Sequence, residues 1–152
     1  MSADRRFTLD ANVLVYAAVQ DATRRHEIAE GLVARAADRD CVLTLQSLAE
    51  FFFATTRKRL LSLERAEEAV ATWLELFPTA GATAGSVQGA VRAVAAHGLG
   101  FWDAMLWAAA KEVGCRYLLS EDFQDGRVLE GVRFVNPFAP GGLPAEVEDA
   151  LR

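Results

Sequence analysis

The chain has 152 residues, of which 52% are hydrophobic and 24% are charged, and its formal net charge is −5 at neutral pH. This composition indicates one globular domain and excludes intrinsic disorder, and the acidic balance argues against a protein that coats nucleic acid nonspecifically. A negative net charge is still compatible with an enzyme that binds phosphate groups through metal ions.

The amino terminus, the apolar runs and the cysteines together predict a cytoplasmic protein. No signal peptide is expected, because the first six residues lead directly into a strand pattern. The longest apolar runs, residues 11–19 and 104–110, fall short of the roughly 20 residues that span a bilayer, so we expect no membrane segment. Cys41 and Cys115 have no metal-binding or disulfide spacing, and we interpret both as small core residues in a reducing compartment.

Hydrophobic periodicity predicts strands that alternate with helices along the chain. Strands are expected at residues 6–9, 41–44, 117–119 and 133–135. Helices are expected directly after Asp10 and over residues 24–37, 46–59, 62–77, 87–98 and 101–113. This alternation predicts an α/β fold with a mainly parallel central sheet and helices on both faces.

Two further segments have no clear periodicity. Residues 79–86 are rich in Gly, Ala and Thr but lack the Gly-Lys-Ser/Thr of a Walker phosphate loop, so we interpret them as a connector. We assign residues 1–138 to the domain and residues 139–152 to a C-terminal tail. The tail is expected to be mobile or to pack against a partner.

Four acidic residues occur where a carboxylate is unexpected. Asp10 and Asp122 follow predicted parallel strands at their carboxyl ends, where ligand sites form in α/β sheets. Glu50 and Asp103 lie in apolar helix segments whose faces should be core, where an unpaired carboxylate is costly. Taken singly, Asp10 is equally explained as a helix N-cap and Asp122 as a solvated loop residue. Two acids of the same loop could replace Asp122: Glu121 and Asp125.

Four carboxylates at one end of a sheet repel one another unless they bind one or two divalent cations. Because no Cys or His accompanies them, magnesium or manganese is favoured. Such a site can hydrolyse phosphodiester bonds. His26 and His97 are interpreted as surface residues. The basic run Arg57-Lys58-Arg59 is interpreted as a solvated helix end, with nucleic-acid phosphate contacts as the alternative.

In this order along the chain, four segments resemble the PIN domain family, and within it the VapC-type toxins of bacterial toxin–antitoxin pairs. They are residues 9–16 (LDANVLVY), 47–51 (SLAEF), 101–110 (FWDAMLWAAA) and 118–126 (LLSEDFQDG), followed by Gly131-Val132 and Asn136-Pro137-Phe138. The resemblance extends from about residue 7 to residue 138. One departure is Gly98-Leu99-Gly100, where the family more often has a hydroxyl or acidic helix cap.

The resemblance implies a single PIN-like domain that cleaves RNA as an endoribonuclease. It implies that four residues ligate magnesium or manganese: Asp10, Glu50, Asp103 and Asp122. It also implies three supporting residues: Asn12, Ser120 and Asp125. The position of Asp125 varies in the family, and this residue is expected to contact metal only secondarily. It also implies a homodimer and a cognate antitoxin protein that blocks the site.

Two other functions stay open. A non-catalytic PIN fold that acts only as a binding module usually lacks one or more of the acids, all of which are present here. An acid-pocket phosphotransfer domain of the haloacid dehalogenase or response-regulator kind also has an Asp after its first strand. The dehalogenase kind needs a second acid at the position of Asn12, and both kinds need a lysine near the pocket, for which the chain has only Lys58 and Lys111.

Overall fold

A computed structural model describes residues 5–152 of the chain. Residues 1–4, part of the segment in which no signal peptide is expected, lie outside the described residues. The strands are β1 (Phe7–Leu9), β2 (Leu43–Thr44), β3 (Thr79–Ala80), β4 (Tyr117–Leu119), β5 (Val128–Leu129) and β6 (Val132–Val135). The helices are α1 (Ala11–Ala18), α2 (Arg24–Ala36), α3 (Leu45–Arg57), α4 (Leu63–Leu76), α5 (Ala84–His97), α6 (Phe101–Glu112) and α7 (Ala145–Ala150). Within residues 5–152, none of these helices combines the length and apolarity that crossing a bilayer requires.

The central sheet contains four strands in the order β1-β4-β6-β5. β4 pairs in parallel with β1 on one side and with β6 on the other, whereas β5 pairs antiparallel with β6. The register aligns Leu9 with Leu119 and Leu119 with Val135, so three parallel strands end together at one edge. The prediction of an α/β domain with a mostly parallel sheet is therefore confirmed.

Apolar clusters cover both faces of this sheet. Tyr117 and Leu119 of β4 belong to one cluster and Leu118 to the other, as expected because successive side chains of a strand point to opposite faces. The first cluster is completed by residues of α1, α2, α3, α4 and α7, and the second by α5 and α6. The helices that present the candidate site therefore lie on both sides of one sheet edge.

The C-terminal segment packs on the domain itself. Val147, Ala150 and Leu151 are buried in the first apolar cluster, and Arg35 of α2 donates a hydrogen bond to Glu148 over 3.1 Å. The prediction of a mobile or partner-bound tail is wrong, because these three apolar side chains complete the chain's own core.

The predicted connector 79–86 contains regular structure. Its first two residues form β3, which pairs with β2, and α5 begins at Ala84, three residues earlier than predicted. A capping box between Thr83 and Ser86 explains the earlier start, since each side chain bonds the backbone N–H of the other residue. By contrast, Gly100 precedes α6 without a side-chain cap, in keeping with the departure from the family pattern there.

Candidate active site

A pocket of about 400 Å³ opens where β1 and β4 end. Its lining residues come from the β1–α1 junction and α1, from α3 and the turn after it, from α6 and from the loop after β4. They include all four carboxylates singled out in the sequence: Asp10, Glu50, Asp103 and Asp122. The aligned strand ends set Asp10 and Asp122 side by side, while α3 and α6 supply the other two acids. The fold thus brings together residues more than a hundred positions apart.

Asp10 combines the two roles that the sequence left open, because it caps a helix and also lines the pocket. Its Oδ1 accepts a hydrogen bond from the Ala11 backbone N–H over 2.7 Å, at the N-cap of α1. Its Oδ2 accepts one from the Ser120 hydroxyl, also over 2.7 Å. The side chain is only 6% exposed, and burial raises the pKa of Asp10 to about 6 despite these two bonds. Within residues 5–152 no Lys or Arg forms an ion pair with it.

Asn12 and Ser120 join the β1 end to the loop after β4. The Asn12 amide nitrogen donates to the Ser120 hydroxyl oxygen over 3.0 Å and to Oδ2 of Asp122 over 3.1 Å. The Ser120 oxygen also accepts from the Asp122 backbone N–H over 3.0 Å. These bonds orient two of the four carboxylates, which is the geometry that supporting residues of a metal site require.

The environment of Glu50 differs from the buried one that the sequence predicted. The buried face of α3 consists of Ser47, Leu48, Phe51 and Thr55, so Glu50 lies outside it and is exposed. Phe53, one turn further along α3, is also exposed, at 62%. The prediction of a buried Glu50 is therefore wrong, because the apolar residues of α3 cover more than one face of the helix.

Asp103 lies half-buried in the first turn of α6. Its pKa is raised, first by burial and then by the negative charges of Asp122 and Glu50. Asp10 is affected by the same two acids. Glu50 and Asp122 therefore both make the ionisation of the two more buried acids, Asp10 and Asp103, less favourable.

The other acids of the loop after β4 have separate roles. Asp125 lies outside the pocket lining, and its Oδ1 accepts a hydrogen bond from the Asn136 backbone N–H over 2.9 Å. Glu121 lines the pocket, but one carboxylate oxygen accepts from the Tyr16 hydroxyl and the other from Nε of Arg25. Burial, together with that hydrogen bond, raises the pKa of Tyr16 to about 12, so the phenol stays protonated and donates.

The basic run at the end of α3 separates into residues with different environments. Lys58 lines the pocket and is the only Lys or Arg that does so within residues 5–152. The guanidinium of Arg57 instead lies 5.5 Å from the centroid of the Phe53 ring. Arg59 adopts a left-handed backbone conformation, with φ of 55°, in the turn that ends the helix.

The chemistry of the lining residues fits a hard divalent cation. Five carboxylates face one lysine, and the buried Asp10 has no cationic partner among the described residues. Oxygen ligands without Cys or His suit magnesium or manganese. As they stand, the side chains of residues 5–152 form no group of three or more metal-binding residues close enough to share an ion. Glu50 is held instead by the Gln46 amide, which donates to its Oε1 over 2.6 Å, and Asp122 is held by the Asn12 amide.

Comparisons with known proteins agree with this fold. A family model described as the PIN domain matches residues 7–127. No sequence among curated proteins matches the chain significantly. The solved structure of Mycobacterium tuberculosis VapC20, described as a sarcin-ricin loop cleaving toxin, matches with a TM-score of 0.61 and 19% identity, over 74% of this chain and 86% of VapC20.

Two other solved structures are similar over more of the chain. A toxin–antitoxin complex from Klebsiella pneumoniae matches with a TM-score of 0.64 and 18% identity, over 86% of this chain and 97% of the other. Rickettsia felis VapBC2, bound to a DNA fragment from its promoter, matches with a TM-score of 0.62 and 15% identity, over 84% and 96% respectively. At these identities the likeness establishes the fold alone.

Proposed function

Because the chain belongs to the PIN domain family, we propose that it is a metal-dependent endoribonuclease of the VapC toxin type. The observation that carries the proposal is the convergence of Asp10, Glu50, Asp103 and Asp122 on one pocket. A non-catalytic binding module would have no need of all four. The phosphotransfer hypothesis loses its support, since it requires a different family.

The proposed roles follow from the hydrogen bonds of the pocket. The four carboxylates would hold magnesium or manganese, which supplies activation of water and stabilisation of the leaving oxygen in phosphodiester hydrolysis. Ser120 fixes the orientation of the Asp10 carboxylate, and Asn12 ties Asp122 to the same support. Lys58 contributes a positive charge that attracts the RNA phosphate to an otherwise negative pocket.

A cognate antitoxin is part of the proposal, because the Klebsiella pneumoniae structure is a toxin–antitoxin complex. We propose that an Arg or Lys side chain of the antitoxin enters the pocket and pairs with the carboxylates. Such a cation would compete with the metal ion for the same oxygens. Added manganese should therefore weaken the antitoxin's affinity for the pocket.

A homodimer is also proposed, together with a cytoplasmic location. Val87, Val91 and Val94 are exposed on one side of α5, at the spacing of a helical stripe. Phe101 and Trp102, at the start of α6, are exposed as well, with Trp102 at 65%. A second copy of the chain would remove this apolar surface from water, which favours association. Sedimentation of the purified chain tests the homodimer.

The proposed activity can be tested in cells. Expression of the chain is induced, and the ends of cellular RNAs are sequenced to map new cuts. The wild type should produce cuts that Asp10→Asn does not, because Asp10 is buried in the pocket. Asp38→Asn is the matched control, since Asp38 is exposed on the turn after α2 and lies outside the pocket. Equal cutting by wild type and Asp10→Asn would refute the proposal.

A further inference from the structure

An arginine that the sequence did not single out lies at the rim of the acid pocket. Arg25, in the first turn of α2, donates a hydrogen bond from Nε to Oε2 of Glu121 over 3.0 Å. Glu121 lines the pocket next to Asp122, and its other oxygen accepts from the Tyr16 hydroxyl. With both oxygens engaged, Glu121 serves as a support for Arg25 rather than as a fifth metal ligand.

Two aromatic rings restrict the same guanidinium. Its central carbon lies 5.8 Å from the centroid of the Tyr16 ring and 6.0 Å from that of Phe138. The rings contact each other edge to face, with 5.1 Å between centroids, and Phe138 is buried. A guanidinium between a carboxylate and two ring faces has less rotational freedom than an ordinary surface arginine.

The Arg25 guanidinium nevertheless has N–H donors available for a ligand. Only Nε of Arg25 has a hydrogen-bond partner within residues 5–152, which leaves the N–H groups of both Nη atoms available. The side chain is 54% exposed, so a solute can reach these donors. The paired N–H groups of a planar guanidinium match the oxygens of a phosphate group.

An RNA strand that binds beside the acidic pocket needs positive charges near its phosphates. The lining contains five carboxylates and one lysine, and an RNA backbone approaching it meets repulsion wherever no cation intervenes. Lys58 supplies a cation from the end of α3, and Arg25 supplies a second one from α2, a separate helix. Two cations on different elements give a bound strand two separate phosphate contacts.

We propose that Arg25 is a substrate-positioning residue that binds an RNA phosphate beside the scissile one, held in place by Glu121, Tyr16 and Phe138. This inference rests on the proposed function and assigns one contact of its substrate. A purely structural role, in which Arg25 only links α2 to the loop after β4, predicts no effect on RNA affinity. The two roles therefore differ in the Michaelis constant and in the response to salt.

The test measures initial rates of manganese-dependent cleavage of purified total bacterial RNA over a range of RNA and salt concentrations. It compares wild type, Arg25→Gln, Arg25→Lys and Arg35→Gln. Arg35 is the matched control, because it is also an α2 arginine in a surface ion pair, with Glu148, and lies outside the pocket. Melting temperatures confirm that each variant is folded.

Arg25→Gln should raise the apparent KM about 5- to 10-fold with kcat within about twofold of wild type, as expected for loss of uniform binding. The slope of log kcat/KM against log salt should become shallower by about 0.7, the value for one phosphate contact on a single strand. Arg25→Lys should restore part of the wild-type salt dependence, because it keeps the positive charge. It should restore the wild-type KM to a smaller extent, because it loses the planar donors. If Arg25→Gln has a lower melting temperature than wild type, the KM and salt dependence of Arg25→Lys are compared with those of wild type instead.

The inference is overturned if the Arg25 variants and Arg35→Gln share the KM and salt slope of a wild type that cleaves RNA. That outcome leaves the proposed function intact. A wild type that releases no fragments in manganese overturns both.

Discussion

The Ser120 hydroxyl donates a hydrogen bond to Oδ2 of Asp10 over 2.7 Å and so joins the end of β4 to the end of β1. The same oxygen accepts from the Asn12 amide and from the Asp122 backbone. One buried side chain thus holds the Asp10 carboxylate and also the backbone of the loop that carries Asp122. Because Asp10 is held before any ion arrives, less side-chain freedom is lost when the pocket binds one.

Loss of that hydroxyl should weaken metal binding. Ser120→Ala removes the shorter of the two hydrogen bonds to Oδ2 of Asp10 and leaves only the 3.4 Å bond from the Asn12 amide. We expect manganese affinity to fall about 10- to 100-fold, as is typical when a ligand loses its hydrogen-bonding support. Titration calorimetry measures the affinity. Ser62→Ala is the control, because Ser62 caps α4 outside the pocket, so that this change should cost about 1 kcal/mol of stability without altering the affinity. Wild-type affinity in Ser120→Ala would contradict the assigned role.

The buried Asp10 should make the stability of the metal-free protein depend on pH. Burial raises the pKa of Asp10 from 3.8 to about 6, so the folded state holds this proton more tightly than the unfolded chain does. The stabilisation from the protonated group is present below pH 4 and is lost as the pH rises towards 6. Over the full titration, from about pH 3 to about pH 7, the unfolding free energy of wild type should fall relative to Asp10→Asn by about 3 kcal/mol, at 1.36 kcal/mol per pKa unit, and about 2 kcal/mol of this falls between pH 4 and pH 6.

Urea unfolding in EDTA at several pH values measures this difference. Titrating groups outside the pocket affect wild type and variant alike, so the difference between the two curves reports Asp10 together with its coupling to Glu50 and Asp122. A difference that stays constant between pH 4 and pH 6.5 would mean that Asp10 ionises normally in the folded protein.

Neutralising Asp103 should separate activity from stability. Asp103→Asn removes a half-buried charge whose pKa is raised by burial and by Asp122 and Glu50, so the metal-free variant should melt at or above the wild-type temperature. RNA cleavage should be lost, since the pocket then lacks a metal-binding carboxylate. Asp38→Asn is the isosteric control and should keep cleavage, since Asp38 is exposed and lies outside the pocket. Unfolding of Asp103→Asn would show that Asp103 is structural.

Lys58 and Arg57 should differ although they are adjacent. Lys58 lines the pocket, whereas Arg57 lies over the Phe53 ring. We expect Lys58→Gln to lower kcat/KM for RNA and to make its salt dependence shallower, while Arg57→Gln leaves both near wild type. Equal effects of the two changes would indicate a diffuse charge effect instead of a contact inside the pocket.

The order of the long strands and helices could be predicted because each has a clear periodicity or cap. β3 and β5 could not, since each has only two residues and, unlike β2, neither belongs to a longer apolar run. The burial of Val147 in α7 depends on contact with the rest of the core rather than on any local pattern. The exposure of Glu50 was missed because Phe51, Phe52 and Phe53 are consecutive, and only tertiary packing selects which of them is buried.

The carboxylates of the pocket could be identified because a charge in an apolar segment is conspicuous. Arg25 could not be identified in this way, because an arginine in the first half of a polar helix looks like ordinary surface. Its contact with Glu121 spans 96 residues, and its stacking on Phe138 depends on how the end of the sheet folds back. Long-range contacts of this kind follow from topology and have no local signature.

The most direct measurement is RNA cleavage by the purified chain with and without manganese. Wild type should release fragments from total RNA in manganese, stop in EDTA and resume when manganese is restored in excess. Asp10→Asn should release none under the same conditions. Failure of wild type to cleave, cleavage that continues in EDTA, or equal cleavage by Asp10→Asn would contradict the proposed metal-dependent carboxylate site.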